Sequence, residues 1–76
     1  MSPAIEIYVK LPDEAVDVWR PVLAELIDGN RYRIIDQPYD RSDERWEFEP
    51  GSEVLCEYVR MYHSEKLTAT RRASPR

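Results

Sequence analysis

Asp13-Glu14-Ala15-Val16-Asp17-Val18-Trp19-Arg20-Pro21-Val22-Leu23-Ala24-Glu25-Leu26-Ile27 decides the fold class, because it supports two incompatible periodicities. As a helix it would be capped by Asp13 and stopped by Gly29, with Val18, Val22, Leu23 and Leu26 on one stripe and Ala24 and Glu25 as good helix formers. As a strand it offers Val16, Val18 and Val22 alternating with Asp17 and Trp19, in a run rich in β-branched and aromatic residues. Pro21 weighs against the helix. Inside a helix, proline removes one hydrogen bond and clashes with the preceding turn at a cost of about 3 kcal/mol, whereas at a sheet edge or bulge it is tolerated. The strand is therefore the favoured reading, with the helix as its rival.

On the N-terminal side the pattern is less divided. Ile5, Ile7, Val9 and Leu11 share one face while Glu6, Tyr8 and Lys10 take the other, the period of a half-buried strand, and Pro12-Asp13-Glu14 ends it as a turn. On the C-terminal side Asp28-Gly29-Asn30 signals a hairpin between Val22–Ile27 and a strand over Tyr32–Ile35. A polar, acidic loop with no apolar period follows, from Asp36 to Arg45. Trp46 and Phe48 then alternate with Glu47 and Glu49, Pro50-Gly51-Ser52 turns the chain, and Val54, Cys56 and Tyr58 resume the alternation. Leu67-Thr68-Ala69-Thr70 reads as a short closing strand, and residues 71–76 as a basic, unstructured tail.

Five or six short strands in a 76-residue chain leave too little material for two sheets and predict one small all-β barrel over residues 1–70. A chain of this size buries only about 60% of its unfolded surface, so stability is at a premium and self-association stays open, as a monomer or a weak homo-oligomer. A single cysteine cannot close an internal disulfide, which fits a reducing, cytoplasmic setting. No stretch approaches the roughly 20 apolar residues of a membrane span, and the N-terminus has no basic region ahead of an apolar signal core, so the chain is read as complete and without a membrane partner.

Three stretches together, Asp17-Val18-Trp19-Arg20-Pro21-Val22, Asp28-Gly29-Asn30-Arg31-Tyr32-Arg33-Ile34 and Trp46-Glu47-Phe48-Glu49-Pro50-Gly51, resemble a group of short, uncharacterised bacterial proteins. The resemblance runs from about Ile5 to Tyr58. It implies a five-stranded, partly open Src-homology-3-like barrel and supports the strand over the helix, but it carries no activity and no functional residues. The Ala-Leu-Tyr-Asp-Tyr stretch of the eukaryotic domain that names the fold has no counterpart here, and fold analogy alone assigns no ligand.

The net charge of −4 is unevenly spread: Met1–Ser64 holds 7 Lys and Arg against 14 Asp and Glu, and the last twelve residues hold 4 against 1. An acidic body repels a phosphate backbone, so nucleic acid is an unlikely partner. Catalytic signals are absent. His63 lies seven residues from Cys56, an odd spacing that puts the two on opposite faces of a regular strand, and Cys56, in register with Val54 and Tyr58 on the face expected to be the core, reads as a small buried hydrophobe. Read as a calcium loop from Asp36, the acidic segment puts Pro38 at position 3 and Arg41 where the sharp turn needs glycine, between strands rather than helices. No metal site and no cofactor follow from the sequence.

What remains is an aromatic and acidic mixture, Tyr39, Asp40, Asp43, Glu44 and Trp46, suited to a partner protein with a basic surface. Trp46 reads first as one of the large residues a tiny core needs and second as an interface residue, and Tyr39 is evenly balanced between the two roles. The sequence thus predicts a non-catalytic interaction or regulatory module. Its rivals are an acidic, immunity-like inhibitor that blocks a basic cleft, and a barrel binding single-stranded nucleic acid should Arg31, Arg33 and the terminal arginines converge.

Overall fold

Alternation dictates the first strand, and the computed structural model, which describes residues 3–74, places it as β1, Ile5–Lys10. Ile7 and Val9 are fully buried while Glu6 faces solvent. The deciding segment is a strand: β2 runs Trp19–Asp28, antiparallel to β1, with Tyr8 opposite Pro21, where the missing N–H does no harm. The strand starts later than expected, at Trp19. Residues 12–16 form turns and bends between β1 and β2, which leaves Val16 71% exposed.

Beyond the Gly29-Asn30 turn, β3 covers Arg31–Ile34. The long loop 35–52 leads to β4, Glu53–Met61, and a tight hairpin returns as β5, Ser64–Arg72. Each strand pairs antiparallel with the next, and β5 then meets β1 through Tyr8 and Thr68. In an up-and-down meander with an odd number of strands, the first and last run the same way, so that closing pair must be parallel, and it is. The barrel is closed rather than partly open, and in other respects matches the expected small Src-homology-3-like barrel. Irregularities at Leu26/Asp28 and at Leu55/Cys56 supply the bends a five-stranded wall needs.

The closing strand extends well beyond Leu67–Thr70. Arg71 and Arg72 belong to β5, paired with Leu55 and Val54, and the Ala73 amide donates to the Glu53 carbonyl at 2.9 Å. Pro75 and Arg76, the rest of the expected tail, lie outside the described residues. At the β4–β5 tip, Tyr62 and His63 both adopt positive φ, 51° and 69°, the conformation of a type I′ turn normally given to Asn-Gly. A bulky residue there is strained.

The core takes Ile7 and Val9, Val22 and Ala24, Ile34, Val54, Cys56 and Ala69 from the strands, and Leu11 from just beyond β1. It is completed by Trp46 and Phe48, which are 6% and 7% exposed although they lie in no strand. Their alternation correctly signalled burial but not an extended ladder. The Glu47 amide donates to the Lys10 carbonyl at 2.9 Å, so this short segment docks on the end of β1 and points both rings inward. Burying an aromatic of this size contributes about 2–3 kcal/mol.

Candidate functional site

Loop 35–52 carries six carboxylates against two arginines, a surplus as large as the net charge of the whole chain, −4. It is held at both ends and in the middle. Ile35 N–H donates to the Leu23 carbonyl at 3.2 Å, and the Gln37 amide then continues where β3 stops, accepting from Leu23 N–H at 3.0 Å and donating to the carbonyls of Leu23 and Ile35 at 2.9 Å. Asp40 Oδ1 accepts from the amide and hydroxyl of Ser42, at 2.9 and 2.6 Å, and its carbonyl accepts the amides of Asp43 and Glu44, a local turn of the kind aspartate favours. The Ser42 hydroxyl and amide hold the Asp40 carboxyl below its ordinary range.

Tyr39 is half-buried against the core, its ring 4.5 Å from that of Trp46 and tilted by 35°. Its hydroxyl accepts from the Trp46 amide at 3.1 Å and donates to Glu49 at 2.9 Å, and Arg41 adds a second contact to Glu49 at 2.6 Å. Tyr39 first, and then Arg41, keeps Glu49 ionised below the usual carboxylate range. On the other side of the aromatic pair, Glu44 is gripped by Arg20. The guanidinium donates from Nε and Nη2 to its two oxygens at 2.6 and 2.5 Å, and the Trp46 indole N–H donates to Oε1 at 2.9 Å. Glu44 is accordingly held low, chiefly by Arg20 and then by Trp46, despite its partial burial.

All five residues expected at the site, Tyr39, Asp40, Asp43, Glu44 and Trp46, line one open cleft of about 450 Å³ between β2 and the loop. They do not play equal parts. Trp46 belongs to the core and shows the cleft only its margin, Tyr39 and Glu44 are half-buried ties, and Asp40 and Asp43 form the exposed rim. Arg20, Pro21, Gln37 and Pro38 complete the lining and were not anticipated. Position 20 shares the strand face of Val22 and Ala24 and lies opposite Val9, but at the start of β2, where its side chain reaches solvent and Glu44 rather than the core.

Cys56 is buried, and burial pushes its thiol up to about 12, which makes it a packing group rather than a nucleophile. His63 stands in the exposed β4–β5 turn, away from the buried Cys56. Among the described residues no group of three or more His, Cys, Asp or Glu gathers as a metal ion requires, and every buried side-chain polar atom has a partner. Among the described residues no helix is long and apolar enough to cross a membrane.

The arginines named for a nucleic-acid groove come together only in part. Arg31, Arg33 and Arg72 line a shallow groove of about 750 Å³ over the Gly51-Ser52 turn. Arg31 is paired with Glu53 at 2.9 Å and Arg33 with Glu25, while the Arg72 guanidinium sits 5.9 Å from the centre of the Phe48 ring. The result is a mixed-charge surface rather than a basic stripe. No family model, no curated protein and no solved structure matches this chain, so its function rests on this geometry alone.

Proposed function

We propose that this chain is a small non-catalytic interaction module of a reducing cytoplasm, whose cleft between β2 and loop 35–52 receives a basic side chain of a partner protein. The supporting observation is that Tyr39, Asp40, Asp43, Glu44 and Trp46 line one cleft whose loop is tied to the barrel by hydrogen bonds on both sides. A rim fixed in advance loses little entropy on binding, and its carboxylates favour a cation. Asp40 and Glu44 in the cleft, and Glu49 behind Tyr39, are held below their ordinary range, opposite to what a general acid working at neutral pH needs. That favours binding over proton transfer.

The test is an NMR titration of the labelled protein with an arginine-rich peptide and, separately, with a single-stranded oligonucleotide, at low and at moderate salt. Asp43→Lys serves as the control, because Asp40 and Glu44 also hold the loop together. The proposal expects peptide-induced shifts centred on residues 39–46, weaker at higher salt and lost in Asp43→Lys. Shifts confined to other surfaces, or tighter binding of the oligonucleotide at Arg31, Arg33 and Arg72, would overturn it.

A further inference from the structure

The cleft already holds a cation, and that cation belongs to the chain itself. Arg20 presents the Nε/Nη2 edge of its guanidinium to both oxygens of Glu44, a fork that a lysine ammonium cannot reproduce. The receiving carboxylate does not depend on Arg20 for its orientation, because the indole N–H of the core residue Trp46 fixes Oε1 from the other side. The two partners are also unequally exposed: the Arg20 side chain is 49% accessible and that of Glu44 only 19%. The arginine can leave for water while the carboxylate stays.

Resting on the interaction-module reading, the geometry points to Arg20 as an intramolecular stand-in: Glu44 and Trp46 form a guanidinium site that a partner's arginine enters by displacing Arg20. The exchange is one cation for another, so Glu44 is never left buried without a partner, the step that makes breaking such a pair expensive. The backbone has no need to move. Arg20 is fixed opposite Val9 in the β1–β2 ladder, and Pro21 behind it restricts position 20 to extended geometry, which leaves side-chain rotation as the path. Asp43 at the rim lies near enough to Arg20 to stabilise its charge, and offers the incoming guanidinium the same field. Arg20 therefore sets a threshold that only a ligand with contacts beyond the fork overcomes, which selects a peptide or protein over free arginine.

The chain reports on this site itself, since of its two tryptophans Trp46 donates to Glu44 and Trp19 is elsewhere. The indole N–H resonances are followed while N-acetyl-arginine amide, or its lysine counterpart as control, is titrated into the wild type, Arg20→Gln and Arg20→Lys. Arg20→Lys keeps the charge and guards against loss of folding, which unchanged Trp19 and core resonances would verify. The expected result is a Trp46 indole shift with apparent affinity for arginine amide at least tenfold higher in both variants than in the wild type, and little response to lysine amide. Affinity no higher in either variant, or lysine amide matching arginine amide, would overturn displacement. Should the arginine-rich peptide still map to residues 39–46 and be lost in Asp43→Lys, the module stands and only the stand-in role falls; should the peptide fail as well, both fall.

Discussion

Trp46 and Trp19 invert the usual association of regular structure with burial. Trp46 sits in a loop with neither helix nor strand and is 6% exposed, whereas Trp19 opens β2, the longest strand, and is only half-buried. The difference is one of register. Trp19 pairs with Lys10 on the outer face of the β1–β2 hairpin, where its ring meets that of Tyr62, 6.3 Å away and nearly perpendicular. Trp46 is directed inward because its neighbour Glu47 is bonded to the end of β1. In so small a barrel the strands alone do not fill the interior, and the loop that completes the core also forms the wall of the cleft. Packing and candidate function are therefore coupled in one segment and separate in the other.

The sharpest way to break this comparison is to truncate each ring in turn. Trp46→Ala should lose about 3–5 kcal/mol in urea denaturation, a large share of the total stability of a chain this size. Trp19→Ala should lose about 1 kcal/mol, the value of an exposed edge contact and partial burial. Similar losses at the two positions would mean that loop 35–52 is not part of the core. A smaller effect sharpens the outer region. His63 occupies the second central position of the β4–β5 turn at a φ of 69°, where glycine is the natural residue. His63→Gly should raise stability by about 1 kcal/mol by removing that strain, with the Trp19–Tyr62 contact retained in the near-ultraviolet circular dichroism spectrum. A destabilised variant would show that the histidine side chain contributes more than its backbone strain takes away.

Much of this architecture is written in local pattern. Alternation marked β1, Pro21 turned the ambiguous segment toward a strand, and the register of Cys56 with Val54 gave its burial, although Tyr58 in the same register is 70% exposed. The failures share a cause: period-2 alternation groups side chains by face, and says neither whether the backbone joins a ladder nor whether that face is buried. Trp46 and Phe48 alternate and are buried without a strand, while Val16 alternates in a turn and is exposed. The length of β5 was hidden because Arg71 and Arg72 look like a tail, and only pairing with the long β4 makes them strand residues. In the cleft, composition picked out the five acidic and aromatic residues, since they fall within one stretch, 39–46. Arg20 and Pro21 come from β2, and only closure of the barrel brings them there.

The coupling of core and cleft is tested most directly by hydrogen exchange at the amides of Trp46 and Glu47, which donate to the Tyr39 hydroxyl and the Lys10 carbonyl. A loop that completes the core predicts exchange only through near-global opening, with protection comparable to the amides of β1 and β2. Exchange at the rate of an open loop, while the strands remain protected, would show that loop 35–52 is not tied to the barrel and would remove the pre-formed cleft with it.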